Sequence, residues 1–441
     1  MGSALFLLLV TSGTSEGTTS PPSISGSSGP DYPPPSAGDW LITGATAVWD
    51  ETIIVNGSLV ITETGRLTLT NCTLKINSTL DGQYTVRVNL TGEFYVYDST
   101  ITPYDTNYKY RFEVYGRLWT NHSTAEYMWG DENNPPFTGG IQIYGEPSDV
   151  WLNDTLVTRS GGNGIHAIGA VGVNITGGSN ITGNTRSEVY AENCQYFNFT
   201  NSNFTDYIDA RLGDGIWIKN ASNVVIDHCF VAHHDVNNID FWNVSYSSVT
   251  YNDLGVGVNI VYNDGDAISL AYCDNTVRIA WNNITNQSGG INFWKKSSPL
   301  IQNNHIWNNG GGISNLNDPE AFYSYFYIYN NTIENNTAAG ITMETSNGTI
   351  VNNTLWADNI EMFNSYARIE DCYIRGSYAI FCNASSLMVV NTTIVLGTGN
   401  PAFHLENDSH PFALNCTVDY WYKESIRDVS NLTVQNYLHA R

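Results

Sequence analysis

The stretch IQNNHIWNNGGGISN, residues 301–315, contains two short motifs that recur along the chain. The first, IQNNHI, places Asn between apolar ends, and the second, GISN, alternates apolar and polar residues. Copies of the first motif end at Leu74, Ile101, Leu156, Phe204, Phe230, Ile306, Ile333, Leu355, Ile374, Ile394 and Val418. Between Leu156 and Val418 the mean step is about 24 residues, which predicts coils of a parallel β-solenoid.

The Asn of the first motif is expected at a turn between strands. Asn tolerates left-handed backbone geometry, and its amide can bond neighbouring coils in a ladder. The segment IDHCFVAHHDVNNIDFW, residues 226–242, is predicted to begin with one copy. In that copy Asp227 takes the turn position and Phe230 the closing apolar position.

The second motif is a quartet whose second and fourth residues are expected to point inward, because side chains alternate along a strand. The inward stack then includes Ile216, Ile239, Ile268, Ile291 and Ile341. The third residues form an outward row made of His166, Trp217, Asp240, Ser269, Asn292, Ser314, Thr342, Glu361, Phe381 and His404.

These paired motifs resemble the right-handed parallel β-helix repeats of the pectate-lyase-like superfamily. The resemblance covers most of residues 150–420 and continues less clearly back to about Trp40. It implies an all-β chain folded as a right-handed parallel β-helix, a single-stranded solenoid. Because this fold hosts lyases, hydrolases, epimerases, adhesins and surface proteins, it does not by itself fix an activity.

The N-terminal region differs in composition from the repeats. Residues 1–20 include the apolar run ALFLLLV, which is too short to span a bilayer and predicts a signal-peptide-like leader. Residues 21–38 are rich in Ser, Gly and Pro and predict a linker, and residues 39–441 are assigned to the β-helix. In that assignment the capping and first coils extend to about residue 150, and the regular coils cover about 150–420.

The expected location is extracellular or at the cell surface, since no later segment is apolar enough to cross a membrane. Export would expose Asn-X-Ser/Thr sequons such as those at Asn220 and Asn243, so covalent N-glycans are expected. The alternative is that repeat geometry generates these sequons.

Charge and cysteine content limit the partners. Asp and Glu number 42 against 18 Lys and Arg, giving a formal net charge of −24. Such a surface repels phosphates, which excludes nucleic acid as a partner, and it suits divalent cations. The 7 cysteines show no metal-binding spacing and are expected to be small buried residues of the repeat.

Three tryptophans are predicted to lie on one outward face. Trp217 belongs to the outward row, while Trp242 and Trp294 lie two residues further along their strands. A coil spacing of about 4.8 Å separates Trp242 from Trp294 by about 10 Å, near the length of two sugar units. With Asn292 in the same row, these side chains are the candidate substrate-binding residues for a polysaccharide or surface glycan.

Carboxylates and histidines concentrate in the same coils. The candidate catalytic residues are Asp209, Asp214, Asp240, Asp264, Asp266 and His233. Paired carboxylates can hydrolyse a glycoside by acid–base chemistry, or they can bind calcium. The alternative for each is a solvated acidic turn. His233 and its neighbour His234 are expected to be exposed in a loop and to point in opposite directions.

The segment NVVIDHC, residues 223–229, is similar to part of the pectate-lyase family, in which aspartates further along bind calcium. The resemblance implies calcium at Asp240 and, one residue out of register, at Asp235. It also implies an arginine base downstream, but LGVGVNIVYNDGDAISL, residues 254–270, contains no Arg or Lys. This departure argues against lyase activity.

Two hypotheses remain open from the sequence. One is a secreted or cell-surface β-helix module that binds glycans or serves a structural role without catalysis. The other is a polysaccharide-active enzyme, a glycoside hydrolase or epimerase, whose carboxylates lie on the outward face. Two carboxylates within about 10 Å of each other, in a groove beside the tryptophans, would favour the enzyme.

Overall fold

The computed structural model describes residues 29–130, 138–145, 148–205, 213–255, 265–316, 325–376, 378–396, 401–418, 425–426, 432–435 and 439–440. Within these ranges all regular structure is β-strand, and every strand pair is parallel, one coil against the next. Each coil contributes strands to three faces of the solenoid. The predicted all-β parallel β-helix is therefore confirmed.

Face 1 carries the quartet motif and, as shown below, the candidate site. Its strands are Trp40–Ile42, Leu59–Ile61, Thr85–Val88, Arg111–Val114, Ile141–Tyr144, Ile165–Ile168, Val189–Glu192, the first part of Ile216–Asp227, Ile239–Ser245, Asp266–Ala271, Gly289–Trp294, Gly311–Asn315, Ile341–Glu344, Ile360–Phe363, Ile380–Asn383, Phe403–Glu406 and Ser425–Ile426.

Face 2 follows face 1 in each coil and carries the start of the Asn motif. Its strands are Ala45–Trp49, Arg66–Thr70, Glu93–Tyr97, Arg117–Asn121, Asp149–Asn153, Val171–Thr176, Gln195–Thr200, the last part of Ile216–Asp227, Ser248–Thr250, Arg278–Ala280, Leu300–Gln302, Tyr325–Tyr329, Asn347–Val351, Tyr366–Glu370, Ser386–Val390, His410–Leu414 and Thr433–Gln435.

Face 3 closes each coil with short strands. These are Thr52–Val55, Thr73–Ile76, Thr100–Pro103, Thr124–Glu126, Leu156–Thr158, Asn180–Thr182, Asn203–Thr205, Phe230–Ala232, Asp253–Gly255, Asn283–Thr285, His305–Trp307, Thr332–Glu334, Thr354–Trp356, Tyr373–Gly376, Thr393–Leu396, Thr417–Val418 and His439–Ala440.

The core is a set of stacked apolar rows along the solenoid axis. On face 1 the parallel register aligns the predicted inward residues, and each is fully buried: Ile216, Ile239, Ile268, Ile291, Ile313 and Ile341. The predicted inward stack is thus confirmed. Because each coil buries its apolar row only against its neighbours, the stack is continuous along the chain.

A buried polar ladder runs through the turn between faces 2 and 3. Asn282 donates from Nδ2 to Oδ1 of Asn304 at 3.0 Å, and Asn304 donates in the same way to Asn331 at 3.0 Å. The residue before each ladder amide has left-handed geometry, as at Asn303 with φ 56°. The two roles predicted for Asn were left-handed backbone geometry and an amide hydrogen bond to the next coil. Both occur, but on two successive residues.

In coil 226–242 the register corrects the predicted assignment by one residue. Ile226 aligns with Ile301 through two intervening coils, as expected. His228, with φ 53°, rather than Asp227, takes the left-handed turn position. Cys229 then takes the ladder position and Val231 the inward position, while Phe230 is only half buried. Because Cys229 occupies the position where other coils carry the ladder Asn, the motif could not be aligned correctly from the sequence.

The described cysteines all behave as small core residues. Each is buried and unpaired with any other cysteine: Cys72, Cys194, Cys229, Cys273, Cys372, Cys382 and Cys416. This agrees with the expectation from their positions in the repeat.

The N-terminal coils are as regular as the later ones. Three-faced coils begin at Trp40, well before the region where the motifs become clear. Part of the predicted linker packs on this first coil, because Asp31 accepts hydrogen bonds from the backbone N–H of Thr43 at 2.8 Å and of Gly44 at 3.0 Å. The predicted leader and residues 21–28 lie outside the described residues. No helix in the described ranges is long and apolar enough to cross a membrane.

Candidate active site

The outward row of face 1 is formed by the third residue of each quartet. Strand pairing places Trp217 next to Asp240, Asp240 next to Ser269, and Ser269 next to Asn292. Asp240 and Asn292 are partly exposed on this row, whereas Ser269 is largely buried between them. The outward placement predicted for Asp240 and Asn292 is correct.

A second polar row lies at the edge where the chain enters face 1. Asn237 donates its backbone N–H to Oδ1 of Asp214 at 2.9 Å, and its own Oδ1 accepts the backbone N–H of Asp266 at 3.0 Å. Asp214 and Asp266 therefore lie on either side of one coil, about two coil spacings or 10 Å apart along the axis. The two residues are equivalent in the repeat, because each lies two residues before an aligned inward isoleucine, Ile216 or Ile268.

Asp240 lies close enough to these two carboxylates to be affected by their charges. Burial is the main cause that raises the pKa of Asp240 to about 7, and the negative charges of Asp214 and Asp266 raise it further. A hydrogen bond from Ser269 opposes the rise. The protonated form of Asp240 is therefore favoured up to near-neutral pH, which is unusual for a carboxyl group.

The two neighbouring carboxyls differ in their surroundings. Burial raises the pKa of Asp214 to about 6, against the opposing hydrogen bonds from Asn237. Burial also raises the pKa of Asp266, where Nδ2 of Asn292 donates to Oδ2 at 2.8 Å and favours the ionised form. We call Asp214, Asp240 and Asp266 the carboxylate trio. Its members are three carboxyls with raised pKa values on one face, and groups of this kind can exchange protons with a substrate in acid–base catalysis.

Stacked rings extend the outward row toward the N-terminus. His166 stacks on Tyr190 with centroids 5.1 Å apart, and Tyr190 meets Trp217 edge to face at 5.0 Å. His166 is fully buried within this stack, and burial lowers its pKa to about 4. Trp217 is thereby fixed beside Asp240 with part of its ring exposed.

The other two tryptophans are closer together than predicted. The ring centroids of Trp242 and Trp294 are 5.8 Å apart at 87°, not about 10 Å, because the intervening residue is the small Ala271 and the rings lean over it. Tyr272 contacts Trp242 at 5.3 Å, and the ammonium group of Lys295 lies over all three rings. This arrangement corrects the expectation of two separate stacking surfaces.

The histidines occupy different environments from those expected. His234 is buried rather than exposed, its Nε2 lies 3.1 Å from the carbonyl oxygen of Phe204, and burial lowers its pKa to about 4. His233 is half buried, and burial lowers its pKa. His228 makes the structural contact that its position suggested, with Nδ1 at 2.7 Å from Asp227 Oδ2.

The remaining candidates do not join the trio in the described ranges. Asp209 and Asp264 lie outside the described residues. Asp235 is partly exposed in the loop before face 1. No three His, Cys, Asp or Glu side chains of the described residues are arranged to hold a metal ion. Calcium at Asp235 and Asp240 stays a prediction.

Sequence reasoning missed several residues that shape the site. Asn237 links the two outer carboxyls, and its alignment with Asp266 could have been read from the quartet register. Ser269 was placed in the outward row, but its hydrogen bond to Asp240 was not anticipated. Tyr272 and Lys295 each directly follow a face 1 strand, and no sequence signal indicates that they meet the same two tryptophans.

A family model of this fold matches part of the chain. Residues 236–359 match the family model described as a right handed beta helix region. No curated protein sequence is significantly similar to this chain. An alginate lyase from Paenibacillus sp. str. FPU-7 aligns with 11% identity and a TM-score of 0.33, over 73% of this chain and 92% of that one.

Two further solved structures are similar at the same low level. The catalytic unit of a GH87 alpha-1,3-glucanase from Streptomyces thermodiastaticus strain HF3-3 aligns with 13% identity and a TM-score of 0.33, over 90% of this chain and 63% of that one. A family 28 exopolygalacturonase from Yersinia enterocolitica aligns with 9% identity and a TM-score of 0.28, over 91% of this chain and 73% of that one.

The chain is a right-handed parallel β-helix protein, as its repeat predicted.

Proposed function

We propose that this chain is an exported polysaccharide-active enzyme that hydrolyses glycosidic bonds with the carboxylate trio. The observation that carries the proposal is the grouping of Asp214, Asp240 and Asp266 on face 1 beside Trp217, where burial and the two neighbouring carboxyls raise the pKa of Asp240. A carboxylic acid that keeps its proton near neutral pH can act as the general acid of a glycosidase.

In the proposed reaction Asp240 donates its proton to the glycosidic oxygen as the bond to the anomeric carbon breaks. Asp266, whose ionised form Asn292 favours, supplies the carboxylate that either activates water or attacks the anomeric carbon. Water provides the new hydroxyl group of the released sugar. Asp214 is a positioning residue in this scheme, because its negative charge helps Asp240 to keep the proton.

The aromatic side chains around the trio support a sugar substrate. Trp217 precedes Asp240 in the outward row, and Trp242 follows Asp240 two residues along the same strand. Aromatic rings with polar neighbours suit the apolar faces of pyranose rings, which carry hydroxyl groups at their edges. Export rests on the leader-like segment at residues 1–20.

The second candidate is glycan binding without catalysis, and the clustering of Trp242, Tyr272 and Trp294 favours it. Such a module would need the rings but not the unusual protonation of Asp240. The two candidates therefore differ in what a change at Asp240 does.

The test is release of new reducing ends from a panel of neutral, acidic and amino polysaccharides, with wild type, Asp240→Asn and Asp371→Asn. Asp371 is exposed on the opposite side of a coil, and Asn suits its left-handed φ of 54°. We expect Asp240→Asn to lower the rate about 10²–10⁴-fold, as loss of a general acid does. Binding without hydrolysis by wild type would instead support the non-catalytic module.

A further inference from the structure

Three rings form a cage around an ammonium group at the edge of the candidate site. Nζ of Lys295 lies 4.4 Å from the ring centroid of Trp242, 4.3 Å from that of Trp294 and 5.7 Å from that of Tyr272. Trp242 meets each of the other rings edge to face. Rings arranged in this way around one point attract a cation through their negative faces.

The ammonium group in this cage belongs to the chain itself. Among the described residues no carboxylate lies within ion-pairing distance of Lys295, whereas Lys219 on the same face contacts Glu192 at 3.2 Å. Lys295 and Lys296 have φ values of 49° and 65°, a left-handed backbone geometry that residues other than glycine rarely adopt. In the part of the chain that the structure describes, the cation–π contacts hold the Lys295 side chain in place.

The cage lies near one member of the trio. Trp242 lies two residues, or about 7 Å, along the strand from Asp240, and both side chains point outward. The whole chain has a formal net charge of −24, which favours a positively charged ligand. An acidic polysaccharide would meet repulsion here that a cationic one would not.

We propose that the cage of Trp242, Tyr272 and Trp294 is a subsite for a sugar ammonium group, so that the substrate is a polysaccharide with free amino groups, such as a glucosamine polymer. Lys295 occupies the subsite in the absence of substrate and leaves it when a substrate ammonium enters. The inference rests on the proposed function for the bond cleavage, but the binding subsite can be tested alone.

The exchange is energetically feasible because one ammonium group, that of the substrate, replaces another, that of Lys295, against the same rings. Cation–π contacts at partly exposed sites are weak, so displacing Lys295 should lower the affinity for the substrate by about tenfold at most. Removing the resident ammonium should therefore strengthen binding of a substrate ammonium, up to about tenfold. Removing a ring should weaken it.

The experiment measures binding of glucosamine hexamer, its fully N-acetylated form and galacturonate hexamer by calorimetry, in the Asp240→Asn background to prevent turnover. Lys295→Gln is compared with Lys296→Gln, its exposed neighbour, and with Trp294→Ala. We expect the glucosamine hexamer to bind most tightly. Its affinity should rise up to about tenfold in Lys295→Gln, stay unchanged in Lys296→Gln and fall in Trp294→Ala.

Two results would overturn the proposal. One is equal or tighter binding of the acetylated hexamer, since that sugar carries no ammonium. The other is galacturonate binding that Lys295→Gln abolishes, which would make Lys295 a receptor for a substrate carboxylate. Hydrolysis of other glycans by wild type without this preference would leave the proposed enzyme intact. Tight glucosamine binding without hydrolysis would leave only the subsite.

Discussion

Asp214 and Asp266 lie in one row on face 1, bridged by Asn237 through a 2.9 Å bond to the first side chain and a 3.0 Å bond from the backbone of the second. The bridge fixes two carboxyls on either side of the strand that carries Asp240. The pKa values of the trio therefore depend on how three consecutive coils pair. Stability and activity should both change with pH for this reason.

Stability should depend on pH through the trio. The pKa values of Asp214 and Asp240 in the folded chain, about 6 and about 7, are above the ordinary 3.8. Their contribution to stability is fully present below pH 3.8 and is lost as pH rises through 6 to 7. In thermal melts the melting temperature of Asp240→Asn should therefore rise relative to that of wild type as the pH increases from 5 to 8. The exposed Asp371→Asn serves as the control, and a constant difference for Asp240→Asn across this range would contradict the raised pKa.

The hydrogen bond from Asn292 to Asp266 should set the acidic limb of the pH–rate profile. Asn292→Ala removes a bond that favours the ionised carboxylate, so the pKa of Asp266 rises further. We expect the ascending limb of kcat against pH to move to higher pH, with the descending limb unchanged. Asn292→Ser, which keeps a donor, should move it less. A uniform loss of rate at every pH would indicate a structural role only.

The buried ladder should dominate local stability. Asn304→Ala deprives the backbone N–H of Asn282 of its acceptor and leaves the carbonyl oxygen of Ile279 without its donor. Each unsatisfied buried group costs about 1–3 kcal/mol, so we expect a loss of about 3 kcal/mol in urea unfolding. Asn303→Gly, one residue earlier on the surface at φ 56°, should cost far less. Similar losses in the two variants would show that the ladder is not the source of stability.

Trp217 should matter for substrate binding rather than for folding. Trp217→Ala removes the ring beside Asp240, and we expect KM to rise about tenfold with little change in melting temperature. Trp281→Ala is the matched control, because Trp281 is 38% exposed and stacks on Tyr251 at a turn away from face 1. Kinetics on a polysaccharide that the wild type cleaves would decide this, and an equal effect of both variants would remove Trp217 from the binding site.

The fold could be predicted because its information is local and repeated. The motifs that contain Asn303 and Ile313 recur in many other coils, so the mean period, the inward rows and the outward position of Asp240 follow from the repeat and from strand alternation. The prediction failed by one residue at Asp227, where Cys229 substitutes for the ladder amide. The early coils were predicted less clearly than the later ones, because their ladder positions carry Ser and Thr rather than Asn, such as Ser99 and Thr155.

The sequence by itself determined the solenoid and the candidate face, because the period and the alternation of side chains depend only on residue order. Tertiary structure decided the chemistry, since a pKa depends on burial and on charges from other coils. The raised pKa of Asp240 reflects its burial first, and then the charges of Asp214 and Asp266, which come from the coils on either side. The cage around Lys295 likewise forms because Ala271 is small enough to let Trp242 and Trp294 meet across it.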